Sequence, residues 1–277
     1  MVDQQRINRL SEIIRQLGSV VVAFSGGTDS TLLLAACLRE LGPDRVLAAT
    51  ADSPTLPRSE LREAEELAAQ LGARHVVIAT NELGDERFAC NPENRCYYCK
   101  QELFSRLRSL AEESGFAHLV YGATAADLGD HRPGMVAAQE AGAMAPLLQA
   151  GLTKQDVRDL SRQFGLPTWD KPAMACLSSR FPYGLAITEP ALRQVEAAEE
   201  LLRSRLGFRQ VRVRHHGDVA RIEVPVDDLP RLVQTVRAEV VGELLKLGYT
   251  YVTVDLEGFR SGSMNEALRP FAQEAKR

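Results

Sequence analysis

Short runs of apolar residues alternate along the chain with longer segments in which apolar residues recur every three or four positions. The short runs predict buried strands, and the longer pattern predicts amphipathic helices. The predicted strands span residues 19–24, 45–50, 74–80 and 118–123, and the predicted helices span residues 30–41, 58–72, 99–114 and 153–165. This alternation predicts an α/β fold, a parallel sheet with helices on both faces. Such sheets bind ligands at the carboxyl ends of their strands.

The pattern changes after about residue 185. A helical segment at 189–207 is followed by two stretches, 210–216 and 219–225, that alternate like half-buried antiparallel strands around a turn at Gly217 and Asp218. Two short helical stretches and a strand at 249–256 follow, which predicts a small α+β domain. We therefore expect an α/β domain over residues 1–170, a linker over 171–187 and the α+β domain over 188–277.

Composition and charge narrow the classes of function. The 277 residues carry a net charge of −4, which argues against a nucleic acid as the main partner, since phosphate backbones favour an excess of Lys and Arg. No stretch approaches the roughly 18 apolar residues that a membrane span needs, and the polar N-terminus predicts a cytoplasmic protein. Five cysteines are an odd number in a protein of this size, so the C-x-x-C pair at Cys96 and Cys99 predicts metal binding or redox chemistry.

The segment Ser25-Gly26-Gly27-Thr28-Asp29-Ser30 joins the first predicted strand to the first helix. Glycines allow a tight turn whose N–H groups face an anion, and the helix N-terminus adds its positive end. The loop lacks the lysine of G-x-x-x-x-G-K-[ST], so Walker-type γ-phosphate chemistry is not expected. The alternative is a plain glycine turn, which the strand–loop–helix context disfavours.

This loop resembles the PP-loop of the ATP pyrophosphatases, which have an adenine nucleotide alpha hydrolase-like fold and cleave ATP between the α- and β-phosphates. The resemblance implies that Ser25, Gly26, Gly27, Asp29 and Ser30 hold the pyrophosphate and that Asp29 positions Mg²⁺. It also implies that Asp52 flanks the adenosine and that Gly122 lets the nucleotide approach closely. Asp127 and Asp130, in the loop after the fourth strand, are further candidates for metal or substrate contacts, or else solvated acids.

Members of this superfamily adenylate an oxygen, which a nitrogen or sulfur nucleophile then displaces. No glutaminase segment is present to supply ammonia, so the cysteines favour sulfur. Three further segments, 91–100, 169–184 and 254–268, together resemble the LarE family of ATP-dependent sulfurtransferases over nearly the whole sequence. That family helps to build the nickel-pincer nucleotide of lactate racemase.

The LarE resemblance implies a substrate, a set of catalytic residues and partners. The substrate would be pyridinium-3,5-biscarboxylate mononucleotide, whose carboxylates are adenylated by ATP and converted to thiocarboxylates. The catalytic residues would be Cys176, Asp29 and Ser30. The α+β domain would bind the substrate and form a homo-oligomer, a trimer-based hexamer, while sulfide or a persulfide would supply the sulfur.

Arginines of the C-terminal region are suited to a phosphate and two carboxylates because guanidinium groups form bidentate contacts. Arg212 and Arg214 share one face of a predicted strand, as Arg221 and Glu223 do on the next. Spacing alone favours another interpretation, in which the alternating arginines form the solvent side of an edge sheet. The resemblance favours substrate binding by Ser179, Arg180, Arg212, Arg214, Glu223 and Arg260. It also makes Glu200 a candidate metal contact, or else a surface acid.

The cysteines leave several chemistries open. Cys37 lies in an apolar helical run and is predicted to be a core thiol. The resemblance implies either that Cys96, Cys99 and Cys176 hold a [4Fe–4S] cluster that carries a transferable sulfide, or that Cys176 gives up its own sulfur and becomes dehydroalanine. A zinc site and a dithiol pair are weaker alternatives, and Cys90 has no assigned role.

Two rival functions use the same phosphate loop. A tRNA-thiolating enzyme would normally add a basic RNA-binding module, which this sequence lacks. A non-catalytic adenine-nucleotide sensor would not need Asp29, Ser30 and the reactive cysteine together.

Overall fold

The computed structural model of the protein describes residues 2–125, 133–172, 174–260 and 262–264. Its internal contacts divide the chain into two units, each made of two segments. The first unit is Met1–Phe88 with Glu93–Met174, and the second is Ala89–Pro92 with Ala175–Arg277. The segment 171–187, predicted as a linker, is thus shared between the two units at Met174 and Ala175.

The first unit contains a parallel four-stranded sheet with the strand order β3-β2-β1-β4. Its strands are β1 (Val20–Ala23), β2 (Val46–Asp52), β3 (Arg74–Ala79) and β4 (His118–Tyr121). Val20 pairs with Val46 on one side and with His118 on the other. Strand β1 is central, which explains why its residues are almost all apolar and buried, since both of its faces are covered.

Helices pack on both faces of this sheet, as predicted. They are α1 (Gln4–Leu17), α2 (Thr28–Leu41), α3 (Arg58–Gln70), α4 (Glu86–Ala89), α5 (Arg95–Glu113), α6 (Pro133–Glu140), α7 (Pro146–Gln149) and α8 (Lys154–Gln163). Val20 and Val22 contribute to a core cluster with residues of α1, α2 and α8, whereas Val21 contributes to a second cluster with residues of α5. Alternate residues of a strand point to opposite faces, so the two clusters lie on the two sides of the sheet. The predicted α/β class is confirmed.

The second unit contains a three-stranded sheet with the order β5-β6-β7. The strands are β5 (Arg212–His216), β6 (Val219–Glu223) and β7 (Tyr251–Val254). Strands β5 and β6 form the predicted antiparallel hairpin, and β7 pairs with β6 in parallel. Helices α9 (Glu189–Glu200) and α10 (Arg237–Lys246) supply apolar side chains to the core of this α+β unit.

The short segment Ala89–Pro92 belongs to the second unit because Asn91 is buried there. Its side-chain amide donates hydrogen bonds to the carbonyl oxygens of Pro182 (2.7 Å) and Leu185 (3.0 Å). Its own carbonyl accepts a hydrogen bond of 2.9 Å from the N–H of Gly184. Asn91 has a positive φ of 57°, a conformation that Asn tolerates better than most residues do. One residue thus anchors this segment to the stretch that follows Cys176.

In the part of the chain that the structure describes, no helix has the length and apolar character needed to cross a membrane.

Candidate active site

The glycine-rich loop of the first unit connects β1 to α2 and has the geometry of an anion cradle. Gly26 has a φ of +66°, and a Cβ placed there would come within 3.2 Å of Ala64 in α3. Gly27 is the N-cap residue of α2 and makes no side-chain cap hydrogen bond, so no capping side chain competes with a ligand for the first N–H groups of the helix; the N–H of Gly27 lies 3.4 Å from Ser25 Oγ. The helix N-terminus favours negative charge, which suits a phosphate.

Two serines hold this loop in shape. The Oγ atoms of Ser25 and Ser30 are 3.1 Å apart, and Ser30 Oγ lies 3.1 Å from the carbonyl oxygen of Gly27. Ser30 is buried, whereas Ser25 is exposed at the mouth of the loop. Ser30 therefore stabilises the turn from the protein interior, whereas the hydroxyl of Ser25 is accessible from solvent.

Asp29 lies in the first turn of α2, and within the described residues only one of its two carboxylate oxygens has a partner. Its Oδ2 forms an ion pair with Lys154. Its Oδ1 is buried, and among the described residues it has no hydrogen-bond partner. A buried carboxylate oxygen without a partner is costly unless a ligand meets it. Mg²⁺ binds through one or two carboxylates together with phosphate oxygens, so Asp29 fits the Mg²⁺ that the PP-loop resemblance implies.

Gly122, after β4, is required by the protein itself. A Cβ at this position would lie 2.9 Å from the backbone nitrogen of Ser30 and 3.0 Å from the carbonyl carbon of Asp29. We expected this glycine to permit the approach of the nucleotide. The close neighbour in the structure is the backbone of α2, so Gly122 lets the loop after β4 pack against the helix that carries the phosphate loop.

The end of β2 carries Asp52, which forms an ion pair with Arg58 at the start of α3. Beside it, the buried carboxylate of Glu82 accepts hydrogen bonds from Thr55 Oγ1 (2.9 Å), Thr80 Oγ1 (3.1 Å) and Ser53 Oγ. This hydroxyl network fixes the loop between β2 and α3. Glu82 was not predicted from the sequence. Its hydrogen-bond partners follow two different strands, so they form no contiguous motif with it.

Lys171 is a second residue that sequence reasoning missed. Its Nζ lies 2.8 Å from carboxylate oxygens of both Glu60 and Glu63, and 3.4 Å from the carbonyl oxygen of Gly26. Burial alone would lower the pKa of Lys171, but the hydrogen bonds to the two glutamates outweigh it and raise the pKa above its ordinary value. The charged lysine therefore fastens the end of the first unit to the phosphate loop. Asp127 and Asp130 lie outside the described residues.

In the second unit, Cys176 precedes a short 3₁₀ turn, Leu177–Arg180, and is exposed. Its carbonyl oxygen is held by three donors: Ser179 Oγ (2.8 Å), the Ser179 N–H (3.0 Å) and Arg180 Nη1 (3.1 Å). The backbone of the cysteine is therefore fixed while its thiol faces solvent. We call residues 176–180 the cysteine turn.

Arg180 is 0% exposed, and its guanidinium group forms a two-point contact with the buried Glu199. The Nε–Oε1 distance is 2.8 Å and the Nη2–Oε2 distance is 2.9 Å. This placement does not agree with the predicted direct contact between Arg180 and a substrate carboxylate, because the guanidinium group is enclosed by protein. Glu200, the candidate metal contact, instead accepts a hydrogen bond of 2.6 Å from Ser204 Oγ at the surface, and it is its neighbour Glu199 that is buried.

Arg214 and Glu223 form a second buried pair behind the cysteine turn. Arg214 Nη2 lies 2.7 Å from Glu223 Oε2 and 2.9 Å from Ser263 Oγ, while its Nη1 donates to the carbonyl oxygen of Ser179 at 2.9 Å. The structure thus brings Cys176, Ser179, Arg180, Arg214 and Glu223 into one hydrogen-bonded network. The arginines of β5 are buried, so they are not the solvent side of an edge sheet.

Arg212 and Arg260 have different surroundings. Arg212 is buried, and its guanidinium carbon lies 5.4 Å from the centre of the Phe259 ring. Burial and, after it, repulsion by the positive charge of Arg180 lower the pKa of Arg212 to about 10. An anion bound there would relieve that repulsion. Arg260 is partly exposed and pairs with Glu257 at 2.9 Å.

The remaining cysteines lie in helices or near their ends. Cys37 is buried in α2, and burial raises the pKa of its thiol to about 12, which confirms a core thiol. Helix α5 begins at Arg95, four residues before the predicted start, so Cys96 and Cys99 both lie near its beginning. Residues three apart share a face of a helix, and these two thiols are exposed and half-buried. Thiolates are the donors that iron–sulfur clusters use, so the pair has suitable chemistry. Within the described ranges, no three His, Cys, Asp or Glu side chains are grouped as metal ligands.

Comparisons with known proteins agree with this geometry. The family model described as NAD synthase matches residues 4–179, which include the phosphate loop. A pyridinium-3,5-bisthiocarboxylic acid mononucleotide synthase from Lactiplantibacillus plantarum is 43% identical over 255 residues, which cover 92% of each protein. An uncharacterized protein from Synechocystis is also 43% identical, over 96% of this sequence and 98% of its own.

An argininosuccinate synthase from Haloarcula marismortui is 31% identical over 160 residues, but these cover only 54% of this sequence and 38% of that enzyme. The similarity to such enzymes is therefore partial, whereas the similarity to the thiocarboxylate synthase extends through both units. The protein belongs to the LarE family of ATP-dependent sulfurtransferases, within the PP-loop ATP pyrophosphatase superfamily.

Proposed function

We propose that this protein converts pyridinium-3,5-biscarboxylic acid mononucleotide to its thiocarboxylate form, as a step in building a nickel-pincer nucleotide cofactor of the lactate racemase type. The observation that carries this proposal is the 43% identity to the synthase from Lactiplantibacillus plantarum over 92% of both proteins. The phosphate loop of the first unit and the exposed Cys176 of the second unit supply the two chemical functions that such a reaction needs.

The first step is adenylation. A substrate carboxylate attacks the α-phosphorus of ATP, and the bond to the β-phosphate oxygen breaks to release pyrophosphate. The backbone of Gly26 and Gly27 and the N-terminus of α2 would bind the pyrophosphate as charge develops on it. Asp29 would hold Mg²⁺ through its unpartnered Oδ1, and the ion would neutralise the phosphate oxygens. Ser30 would keep the loop in its binding shape.

The second step is sulfur transfer. A sulfur nucleophile attacks the acyl carbon of the adenylate, and AMP leaves with the electrons of the broken C–O bond. Cys176 is the proposed residue for this step because its thiol is exposed on a fixed turn. With Cys176 as the donor, its thiolate would form a thioester, and removal of its α-proton would break the Cβ–S bond to leave dehydroalanine.

The alternative we favour adds a [4Fe–4S] cluster held by the thiolates of Cys96, Cys99 and Cys176. When bound, a cluster with three protein ligands supplies an iron with an open position for a sulfide. The support from the structure is that Cys96 and Cys99 lie one turn apart on the same face of α5. Free sulfide, or a persulfide together with a thiol reductant that supplies the two electrons needed to release its outer sulfur as sulfide, would then replenish the sulfur, so that the protein could turn over repeatedly.

Substrate binding is proposed for the arginines of the second unit. Arg212 and Arg214 are buried on the same face of β5, and a guanidinium group can bind a phosphate or a carboxylate through two parallel hydrogen bonds. Arg214, with Glu223, and the partly exposed Arg260 are proposed to act with Arg212 in this role, and Ser179 offers a hydroxyl on the cysteine turn. The LarE resemblance further implies a homo-oligomer built from trimers, which light scattering would measure.

The test uses the protein purified without oxygen and incubated with α-labelled ATP, Mg²⁺ and the pyridinium mononucleotide. The proposal expects AMP release that depends on the substrate, together with a thiolated product detected by mass spectrometry. AMP release only with tRNA would identify a tRNA-thiolating enzyme, and ATP binding without AMP release would identify a nucleotide sensor. Either result would overturn the proposed substrate.

The sulfur source is decided in the same preparation. The cluster mechanism expects about four irons per protomer and repeated turnover with added sulfide. Cys96→Ser would abolish both, whereas the matched control Cys90→Ser would keep both, because Cys90 is an exposed cysteine outside the proposed ligand set. An iron-free protein whose Cys176 loses the mass of H₂S after one turnover would instead establish Cys176 as the donor.

A further inference from the structure

Arg180, the last residue of the cysteine turn, forms an ion pair with Glu199 of α9. Among the described residues of the second unit this is the most enclosed charged pair, with side-chain exposures of 0% and 1%. A buried ion pair is not by itself stabilising, because desolvation of the two charges offsets much of their attraction. The pair therefore calls for a functional explanation. The other hydrogen bonds of Glu199 and of Arg180 provide such an explanation.

On one side, Glu199 is bound to the framework of the unit. It belongs to helix α9, and its Oε1 accepts a hydrogen bond of 2.9 Å from the N–H of Val213 in β5. Its Oε2 also pairs with Arg203. The attraction of Arg180 and Arg203 and these hydrogen bonds outweigh the effect of burial and lower the pKa of Glu199, so it is charged at neutral pH. The carboxylate is thus fixed by a helix and a strand before it meets Arg180.

On the other side, Arg180 is bound to the cysteine turn. The Glu199 carboxylate engages Nε and Nη2, which leaves Nη1 pointing away from it. Nη1 lies 2.8 Å from the carbonyl oxygen of Ala175, 3.1 Å from that of Cys176 and 2.8 Å from Ser179 Oγ. The guanidinium group therefore connects Glu199, which α9 and β5 hold in place, to the backbone that carries the thiol of Cys176.

We propose that Arg180 and Glu199 are positioning residues for Cys176, which hold its backbone so that its sulfur meets the activated carbonyl carbon, and that Arg180 does not touch the substrate. This inference rests on the proposed function of Cys176. Misplacement of a reacting group by about 1 Å can cost about 100-fold in rate. A planar guanidinium fork is needed, because a lysine ammonium is a point charge that cannot contact a carboxylate and two carbonyl oxygens in fixed directions.

The experiment compares adenylation with sulfur transfer in Arg180→Lys and Glu199→Gln. Substrate-dependent ATP–pyrophosphate exchange, which reports adenylation, should stay within about twofold of the natural protein, with an unchanged KM for the pyridinium mononucleotide. Thiolated product should fall by about 100-fold, the loss expected for a misplaced reacting group. The matched control is Arg203→Lys, since Arg203 also pairs with Glu199 but is not part of the cysteine turn, and it should retain both activities.

A second readout is the rate at which iodoacetamide alkylates Cys176 relative to Cys90, measured by mass spectrometry in the folded variants. We expect this ratio to change in Arg180→Lys and Glu199→Gln but not in Arg203→Lys. A raised KM or lost exchange in Arg180→Lys would show direct substrate contact and overturn the proposal. Loss of folding in both variants would assign the pair a purely structural role and also overturn it. Failure of the natural protein itself to catalyse exchange would instead refute the proposed function.

Discussion

The phosphate loop of the first unit and the cysteine turn of the second unit are the two proposed reactive segments, and they differ in how the sequence builds them. The loop is one contiguous segment of six residues, and it offers backbone N–H groups and the end of a helix to its ligand. The cysteine turn is held by side chains from distant positions: Glu199, through Arg180 of the turn itself, on one side, and Arg214 with Glu223 on the other.

This difference determines how each site responds to substitution. Backbone groups keep their chemistry whatever the side chain, so the loop depends on steric freedom at Gly26 and Gly122 and on the carboxylate of Asp29. Buried charges depend on their partners, because removing one partner leaves an uncompensated charge in the interior. The loop is thus sensitive to volume, and the cysteine turn is sensitive to charge. Three substitutions and one measurement of pH dependence test this comparison.

The largest effect is expected from Glu223→Ala. Glu223 is 0% exposed and compensates the buried guanidinium of Arg214, so its loss should lower the free energy of unfolding by about 3–5 kcal/mol. Urea denaturation measures this change. The matched control is Glu257→Ala, which removes a 75% exposed partner of Arg260 and should cost at most about 1 kcal/mol. Equal effects in the two variants would show that charge compensation does not govern the second unit.

The next effect concerns Asp29→Asn, which keeps the shape of the side chain but removes the charge that would hold Mg²⁺. We expect AMP formation to fall by about 100-fold, which corresponds to about 2.7 kcal/mol of lost transition-state stabilisation. The alkylation rate of Cys176 should stay unchanged, because the cysteine turn has its own framework. Asp85→Asn, which removes a partly exposed partner of the exposed Arg87, serves as the control. Full AMP formation in Asp29→Asn would contradict the assignment of the Mg²⁺ site.

Gly122→Ala should have a smaller effect. The added Cβ would lie within 2.9–3.1 Å of atoms of Asp29 and Ser30, so the packing must shift. Overpacking of this kind costs about 1–3 kcal/mol, and we expect weaker ATP binding along with it. Gly242→Ala in helix α10 meets no atom within 4 Å and should instead stabilise by about 0.5–1 kcal/mol. Isothermal titration with ATP and thermal unfolding measure both outcomes.

The smallest effect is a dependence of stability on pH through His215. Its Nδ1 lies 3.3 Å from Tyr249 Oη, and burial lowers its pKa below the ordinary value. The unfolded protein then binds a proton at a higher pH than the folded protein does. Stability should be constant above about pH 6.5 and should fall as the pH drops through the lowered pKa. His215→Gln should reduce that slope in thermal unfolding, although His75 and His216, whose pKa values are also lowered, retain part of it. An unaltered slope would mean that His215 does not contribute.

The predicted elements were most accurate where the signal was local. The strands and helices around the phosphate loop lie within a few residues of their predicted bounds, because apolar periodicity reports which faces are buried. Helix α5 was predicted to begin at residue 99 but begins at Arg95, since helix ends depend on capping contacts rather than on periodicity. The buried Asn91 was not foreseen, because its partners at Pro182, Gly184 and Leu185 are some ninety residues away.

The sequence by itself determined the α/β class, the phosphate loop and the family, because these rest on contiguous motifs and on periodicity. The tertiary structure alone decided which charged residues are buried. Glu199 and Glu200 are neighbours of the same type, yet Glu199 is enclosed beside Arg180 whereas Glu200 lies at the surface with Ser204. The two side chains leave helix α9 in directions about 100° apart, and only the packing of that helix against β5 places Glu199 in the interior and Glu200 at the surface. The burial of Arg180 was likewise not predictable from the sequence, because the carboxylate that encloses it, Glu199, lies nineteen residues away along the sequence.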